Sequence, residues 1–303
     1  MVRVDVKKTY KLYIGGKFPR SESGRSYEVY AAASSRSRSA AGRFLANAAQ
    51  GSRKDARDAV TAARAAQPGW ASATAYNRGQ VLYRVAEVME SRRPQLVQEV
   101  LDAEGLTAAA AEAVVSQAID RWVWYAGWSD KYVQILGGLN PVAGPYFNIS
   151  ASEPTGVVAV LAPQQSSLLG LVSVLAPVIV SGNAAVVVTS GDRPLPAITL
   201  AECLATSDVP GGVVNIISGK ASEIAPWLAS HRDVNAIDLG GAAGADGVDW
   251  AALEEASADN LKRVLRPAGE GAAAVEPDWS QTPDLSRLTA FLETKTVWHP
   301  KGR

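Results

Sequence analysis

The chain has 303 residues, 47% hydrophobic and 20% charged, which is enough material for one or two buried cores in a globular protein. Its 30 basic and 30 acidic side chains cancel, so no long-range field recruits nucleic acid or an anionic membrane surface. A single cysteine, Cys203, excludes an internal disulfide and a zinc finger. No run of about 18 apolar residues marks a membrane span, and the charged start Met1–Lys11 is unlike a signal peptide, so a cytoplasmic location is expected.

In chain order, Lys11–Tyr30 alternates enough to suggest a hairpin turning at Gly15-Gly16. Ala31–Gly51 is small and Ser/Arg/Ala-rich and reads as a weakly ordered loop, with the run Ser34–Arg43 a solvated stretch rather than a nucleic-acid arm. Ser52 followed by Asp55 is an N-cap signal, and Ala56, Ala59, Val60 and Ala63 recur at helical spacing toward Trp70. Val81, Leu82, Val85, Val88 and Met89 form the stripe of a second helix, while Arg84, Glu87 and Arg92 lie away from it. Pro94 restarts the helix, Gly105 stops it, and Ala108–Trp128 continues helically, its clustered aromatics reading as core. Gly137-Gly138, Asn140-Pro141 and Gly144-Pro145 then break the pattern around two strand-like pieces, Tyr132–Leu136 and Tyr146–Ser152.

From Glu153 to Gly244 short apolar runs alternate with helical segments: Val157–Leu161, Leu168–Ser181, Ala184–Val188, Leu195–Thr206, Val213–Ile217, Ala221–Ser230 and Ala236–Leu239. Strands that read as continuous Val/Ile/Leu are buried on both faces, and helices between them are the crossovers that a parallel sheet requires. The fold class is therefore α/β, a doubly wound parallel sheet.

Within this stretch Glu153-Pro154-Thr155-Gly156-Val157-Val158, Ser181-Gly182-Asn183 and Val209-Pro210-Gly211-Gly212-Val213-Val214-Asn215 occur in order. Together with Leu12–Lys17, Asp55–Trp70, Ala126–Lys131 and Glu293–Trp298, they resemble the aldehyde dehydrogenase superfamily over nearly the whole chain. The resemblance implies a nucleotide-binding body (1–131 and 153–264) and a small β oligomerisation arm (132–152 and 286–303). Between them the family inserts a catalytic domain, where this chain has only the linker 265–285, too short for a domain of about 50 residues.

The family's chemistry uses a cysteine thiolate, an oxyanion-stabilising amide and a carboxylate base. By the resemblance, the amide position holds Gln165 and the base position Pro267, and the nucleophilic cysteine has no counterpart, since Cys203 sits inside a predicted crossover helix. The family's ribose-contacting lysine and glutamate correspond to Val188 and Gly191, and a motif glycine corresponds to Asp246, a carboxylate that opposes a nearby phosphate. Gly241 and Gly244 are the remaining degenerate cofactor positions, so NAD binding is not expected; His231 and His299 lack ligand spacing, so no metal is expected. No Ser-His motif accompanies Ser166-Ser167.

The expectation is a catalytically inactive subunit that joins a full-length, active aldehyde dehydrogenase as a hetero-oligomer. Phe291, Lys295, Val297 and Trp298 are the expected assembly residues. Homo-dimerisation through Ala221–Ser230 is an alternative arrangement, and an NAD-binding or active-site-contributing component of an NAD-dependent aldehyde oxidoreductase is the alternative function.

Overall fold

The structure is a computed structural model that describes residues 6–32, 42–269 and 274–302. The turn at Gly15-Gly16 forms: Ile14 bridges Lys17, and both glycines have positive φ, 60° and 78°. The long hairpin expected around it does not. Tyr13 instead bridges Ile216 with reciprocal backbone bonds of 2.9 and 2.7 Å, covering a sheet edge that would otherwise be open. The strands nearby are β1 (Thr9–Tyr10), β2 (Ser26–Tyr30) and β3 (Phe44–Ala49), and β3 lies between the other two. This corrects the reading of Ala31–Gly51 as a loop. The small residues Ala46, Ala48 and Ala49 are buried because neighbouring strands and helices close over them, a cause invisible in local hydrophobicity. Residues 33–41, most of the Arg/Ser run, lie outside the described residues; Arg43 pairs with Asp102 at 2.6 Å.

Helix α1 (Arg53–Ser72) starts with a capping box in which Ser52 and Asp55 bond each other's backbone amides. Next come α2 (Ala75–Ser91), α3 (Arg93–Glu104), which has Pro94 in its first turn and ends at Gly105 with φ 68°, and α4 (Ala108–Trp128). Tyr132–Leu136 is a helix, α5, rather than a strand. Burial of Tyr132 against the body fixes it, since five residues alone cannot distinguish the two periods.

The remaining elements are β4 (Gly138–Asn140), β5 (Tyr146–Pro154), β6 (Val157–Leu161), α6 (Leu169–Val180), β7 (Ala184–Val188), α7 (Leu195–Ala205), β8 (Val214–Ile217), α8 (Ala221–Ser230), β9 (Ala236–Asp238), α9 (Trp250–Ser257), β10 (Arg263–Leu265), α10 (Ser286–Ala290) and β11 (Leu292–Pro300). Five of these strands form a parallel sheet in the order β10-β9-β6-β7-β8. Strands β6, β7, β8 and β9 are buried on both faces, whereas β10 is a partly exposed edge. Val158, Val160, Ala185, Val187, Val214 and Ile216 face a core shared with α2, α4, α6 and α7, while Val157, Ala159, Ala184, Val186 and Val188 face a second core shared with α1 and α8. Every residue of α6 is buried, because the sheet covers one side of it and α4 the other. Among the described residues, no helix is long and apolar enough to cross a membrane.

A separate antiparallel sheet, β11-β5-β4, is the arm. The nine residues of β11 pair with β5 from Leu292↔Pro154 to Pro300↔Tyr146. Leu139, Ile149 and Val297 face each other across the three strands and are 65%, 47% and 47% exposed. On the opposite face Trp298 meets Tyr146 edge to face at 5.7 Å, above a polar ladder of Asn140, Asn148, Ser150 and Thr296. Phe291, expected in the arm's exposed surface, is fully buried in the body core, and its carbonyl accepts from Asn183 and Thr155. It anchors the arm, because its ring fills the core just before the chain leaves the body.

Candidate active site region at the sheet switch point

In the strand order, β6 and β9 are neighbours although two strands separate them in sequence. The crossovers run away from β6 in opposite directions, so the carboxyl ends of β6 and β9 flank the topological switch point, where open α/β sheets bind ligands. The loop 162–168 follows β6, and the glycine turn 239–244 follows β9.

Several positions singled out in the sequence converge here. Gly241 donates to the Leu161 carbonyl at 3.2 Å, and a Cβ on Gly241 would lie 2.2 Å from the Ala162 oxygen, so only glycine fits this approach of two loops. A Cβ on Gly244 would lie 3.0 Å from a Glu276 oxygen and 3.4 Å from Gln164. The Gln164 side chain donates to the Ala162 carbonyl at 2.7 Å and accepts from Gly191 at 3.4 Å. Other positions stand apart. Val188 points into the core beside α1 and α8, Asp246 is exposed beyond the turn, and Pro267 is buried after β10. The Gln165 side chain is exposed, and its carbonyl accepts from Arg193.

Of the segment expected to be a linker, 265–285, residues 274–285 pack over this mouth. The Glu276 carboxylate accepts from the amides of Gln164 and Gln165, the latter at 3.2 Å. Glu104 accepts from the amide and hydroxyl of Ser167, both at 2.7 Å. Burial pushes the Glu104 carboxyl above the usual carboxylate range despite these two bonds. Asp238, at the end of β9, is fully buried, accepts from Gly240 at 2.8 Å and pairs with Arg287 at 2.6 Å. Arg287 also lies 4.8 Å from the centre of the buried Trp279 ring. Arg121 on α4, itself buried, donates to Ser173 at 2.7 Å and to the carbonyls of Trp279 and Gln281, both at 2.9 Å.

None of these five charged residues was singled out in the sequence, although two carried a signal. Arg121 falls on the buried stripe of α4 with Ala118, Trp122 and Tyr125, and Asp238 ends an apolar strand. A charge on a core face implies a buried partner. Glu276 carried none, standing in a run of alanines, valine and proline.

A dinucleotide at this place would be held through its pyrophosphate by free loop amides and small residues. The residues present do not fit it, because the amides of Gln164, Gln165 and Ser167 already donate to the chain's own carboxylates. Cys203 lies away from the mouth, fully buried in α7, and burial pushes its thiol up to about 12, so it carries almost no thiolate near neutral pH. His231 packs against Trp227 with ring centres 4.4 Å apart, and His299 is exposed on β11.

The chain is similar to several known proteins. A Bacillus subtilis (strain 168) protein, provisionally named aldehyde dehydrogenase DhaS, is 32% identical over 236 residues, which is 77% of this chain and 46% of that protein. The cytosolic 10-formyltetrahydrofolate dehydrogenase of Mus musculus is 30% identical over 274 residues, covering 88% of this chain and 29% of the relative. The NAD+ complex of an aldehyde dehydrogenase from Bacillus cereus superposes with a TM-score of 0.75 at 24% identity, covering 85% of this chain and 50% of the other. The chain thus spans about half the length, or less, of these relatives. The sequence profile of the aldehyde dehydrogenase family matches residues 31–293, and with most of its length so matched, the chain belongs to that family.

Proposed function

We propose that this chain is a catalytically silent aldehyde dehydrogenase-like subunit that assembles through its β arm with a full-length, active aldehyde dehydrogenase and stabilises or regulates it. The observation that carries this reading is the arm itself. Among the described residues β11 is paired along one edge only, and Leu139, Ile149 and Val297 form an exposed apolar row across the sheet. Such an edge and patch, left open, invite uncontrolled association, and strand addition by a partner satisfies both.

The missing chemistry supports the same reading. In the connection from β10 to β11, the described residues 274–291 pack on the body of this chain, and the connection as a whole is too short for the family's catalytic domain. Its only cysteine is a buried core residue, and Pro267 offers no proton acceptor at the family's base position. Cofactor binding falls outside this reading, since the switch-point amides are already satisfied.

The test is mild affinity purification of the tagged chain from its native cell, mass determination of the intact complex, and an assay of NAD-dependent aldehyde oxidation. Recovery of a longer aldehyde dehydrogenase that disappears when Glu293–Arg303 is deleted is the expected result. A lone chain or a homo-oligomer without turnover would end the proposal.

A further inference from the structure

The geometry points to residues 274–287 as a built-in occupant of the switch-point crevice: the chain fills with its own segment the place where its fold would hold a dinucleotide. This goes beyond the assembly reading and does not depend on it. Three contacts tie the segment down, each to a different wall of the crevice. At its start, the Glu276 carboxylate accepts from the adjacent amides of Gln164 and Gln165, in the loop that leaves β6. In its middle, Arg121 reaches from α4 to the carbonyls of Trp279 and Gln281, and the Trp279 ring is buried in the main core. At its end, Arg287 pairs with Asp238 where β9 leaves the sheet.

The chemistry of the first contact makes the segment a stand-in rather than a passive cover. Backbone amides at the head of a parallel strand's loop form an anion-binding concavity, and an oxyanion is the ligand they favour. Here the oxyanion is a side chain of the same molecule, so its binding is intramolecular and a free anion must displace it. Gly244 is open enough for the carboxylate to sit beside it, since a Cβ there would come within 3.0 Å of Glu276. The two remaining charges of the segment's anchors are internally matched, Arg287 by Asp238 and Arg121 by the Ser173 hydroxyl and two carbonyl oxygens, so neither is left over for a pyrophosphate. Loss of cofactor binding is thus a closed conformation of this chain and not only a loss of ribose-binding side chains.

Hydrogen exchange on the full chain tests the inference, read in peptides covering 161–168 with and without millimolar NAD+. In the wild type these amides are expected to be protected and unchanged by NAD+. Glu276→Ala is expected to speed their exchange about tenfold or more, while peptides of β7 and α6 stay protected. Glu276→Gln keeps an acceptor without the charge and is expected to fall between the two, and it serves as the reading if the alanine variant does not fold. Exchange at 161–168 that is no faster in either variant would overturn the inference, as would saturable protection of the wild-type loop by NAD+. Neither outcome bears on whether a partner is captured through the arm.

Discussion

Asp238 and Arg287 form an ion pair of 2.6 Å in which the carboxylate is fully buried and the guanidinium side chain is 17% exposed. It joins the central sheet to the short helix α10, from which the chain passes to Phe291 and the arm. The position of β11 therefore depends on a charge pair at the switch point.

Removing one member of such a pair strands the other charge in a low-dielectric site, and the usual cost is about 3–5 kcal/mol. Arg287→Ala is expected to destabilise the chain by about 3 kcal/mol in urea unfolding. Replacement of both residues by apolar ones of similar volume should recover much of that loss, since neither charge is then left alone. A double variant as unstable as the single one would show that Arg287 acts through Trp279 instead.

Stability should also depend on pH through Glu99. One of its carboxyl oxygens accepts from Tyr10 at 2.8 Å, Thr199 at 2.9 Å and Gln95 at 3.0 Å, while the other is buried without a partner among the described residues. Burial raises its pKa above the ordinary carboxylate value, against these hydrogen bonds. A raised folded-state pKa means that the native chain holds the proton more tightly than the unfolded one. The contribution is then complete below the unfolded value of about 4.3 and is lost as pH rises through the folded value. Glu99→Gln cannot ionise, so its stability minus that of the wild type should grow as pH rises from about 4.3 through the raised folded value. Parallel curves for the two proteins over that range would contradict this account.

Cys203 gives a third expectation. With its thiol pushed up to about 12, it should react with a thiol reagent at pH 7.5 only at the rate of unfolding. Cys203→Ala is expected to cost about 1 kcal/mol of stability, the scale of a small core deletion. Prompt labelling of the native chain would place the thiol at the surface and reopen it as a nucleophile.

How much of this was legible in the sequence follows the kind of force involved. The alternation from Val157 to Asp238 could be read because strands buried on both faces must be apolar throughout, and the elements found differ from the expected ones by a residue or so at each end. β3 escaped because Phe44–Ala49 is buried by neighbours distant in sequence rather than by its own large side chains. α5 escaped because five residues do not establish a period. The crevice escaped for another reason: Glu276 acts on Gln164, 112 positions away, and a polar contact of that range leaves no local pattern. The candidate site was thus legible as a list of missing groups, and illegible as the place where the chain closes on itself.

The arm supplies the last expectation, because its two faces separate assembly from folding. Leu139, Ile149 and Val297 lie exposed on one face, whereas Trp298 packs on Tyr146 on the other. Lys295 pairs with Glu153 at 3.0 Å, but both are more than half exposed, and such pairs contribute about 0–1 kcal/mol. Val297→Asp is therefore expected to abolish capture of a full-length partner while shifting the melting temperature of the isolated chain little, since it buries no charge until the partner arrives. Lys295→Ala should leave that melting temperature nearly unchanged. Trp298→Ala removes an aromatic pair worth about 1 kcal/mol and should loosen the arm, which proteolysis near Tyr146 would report. If Val297→Asp lowers the melting temperature of the isolated chain as much as it lowers capture, the row is already covered by the chain itself, and the open face that motivates assembly does not exist in solution.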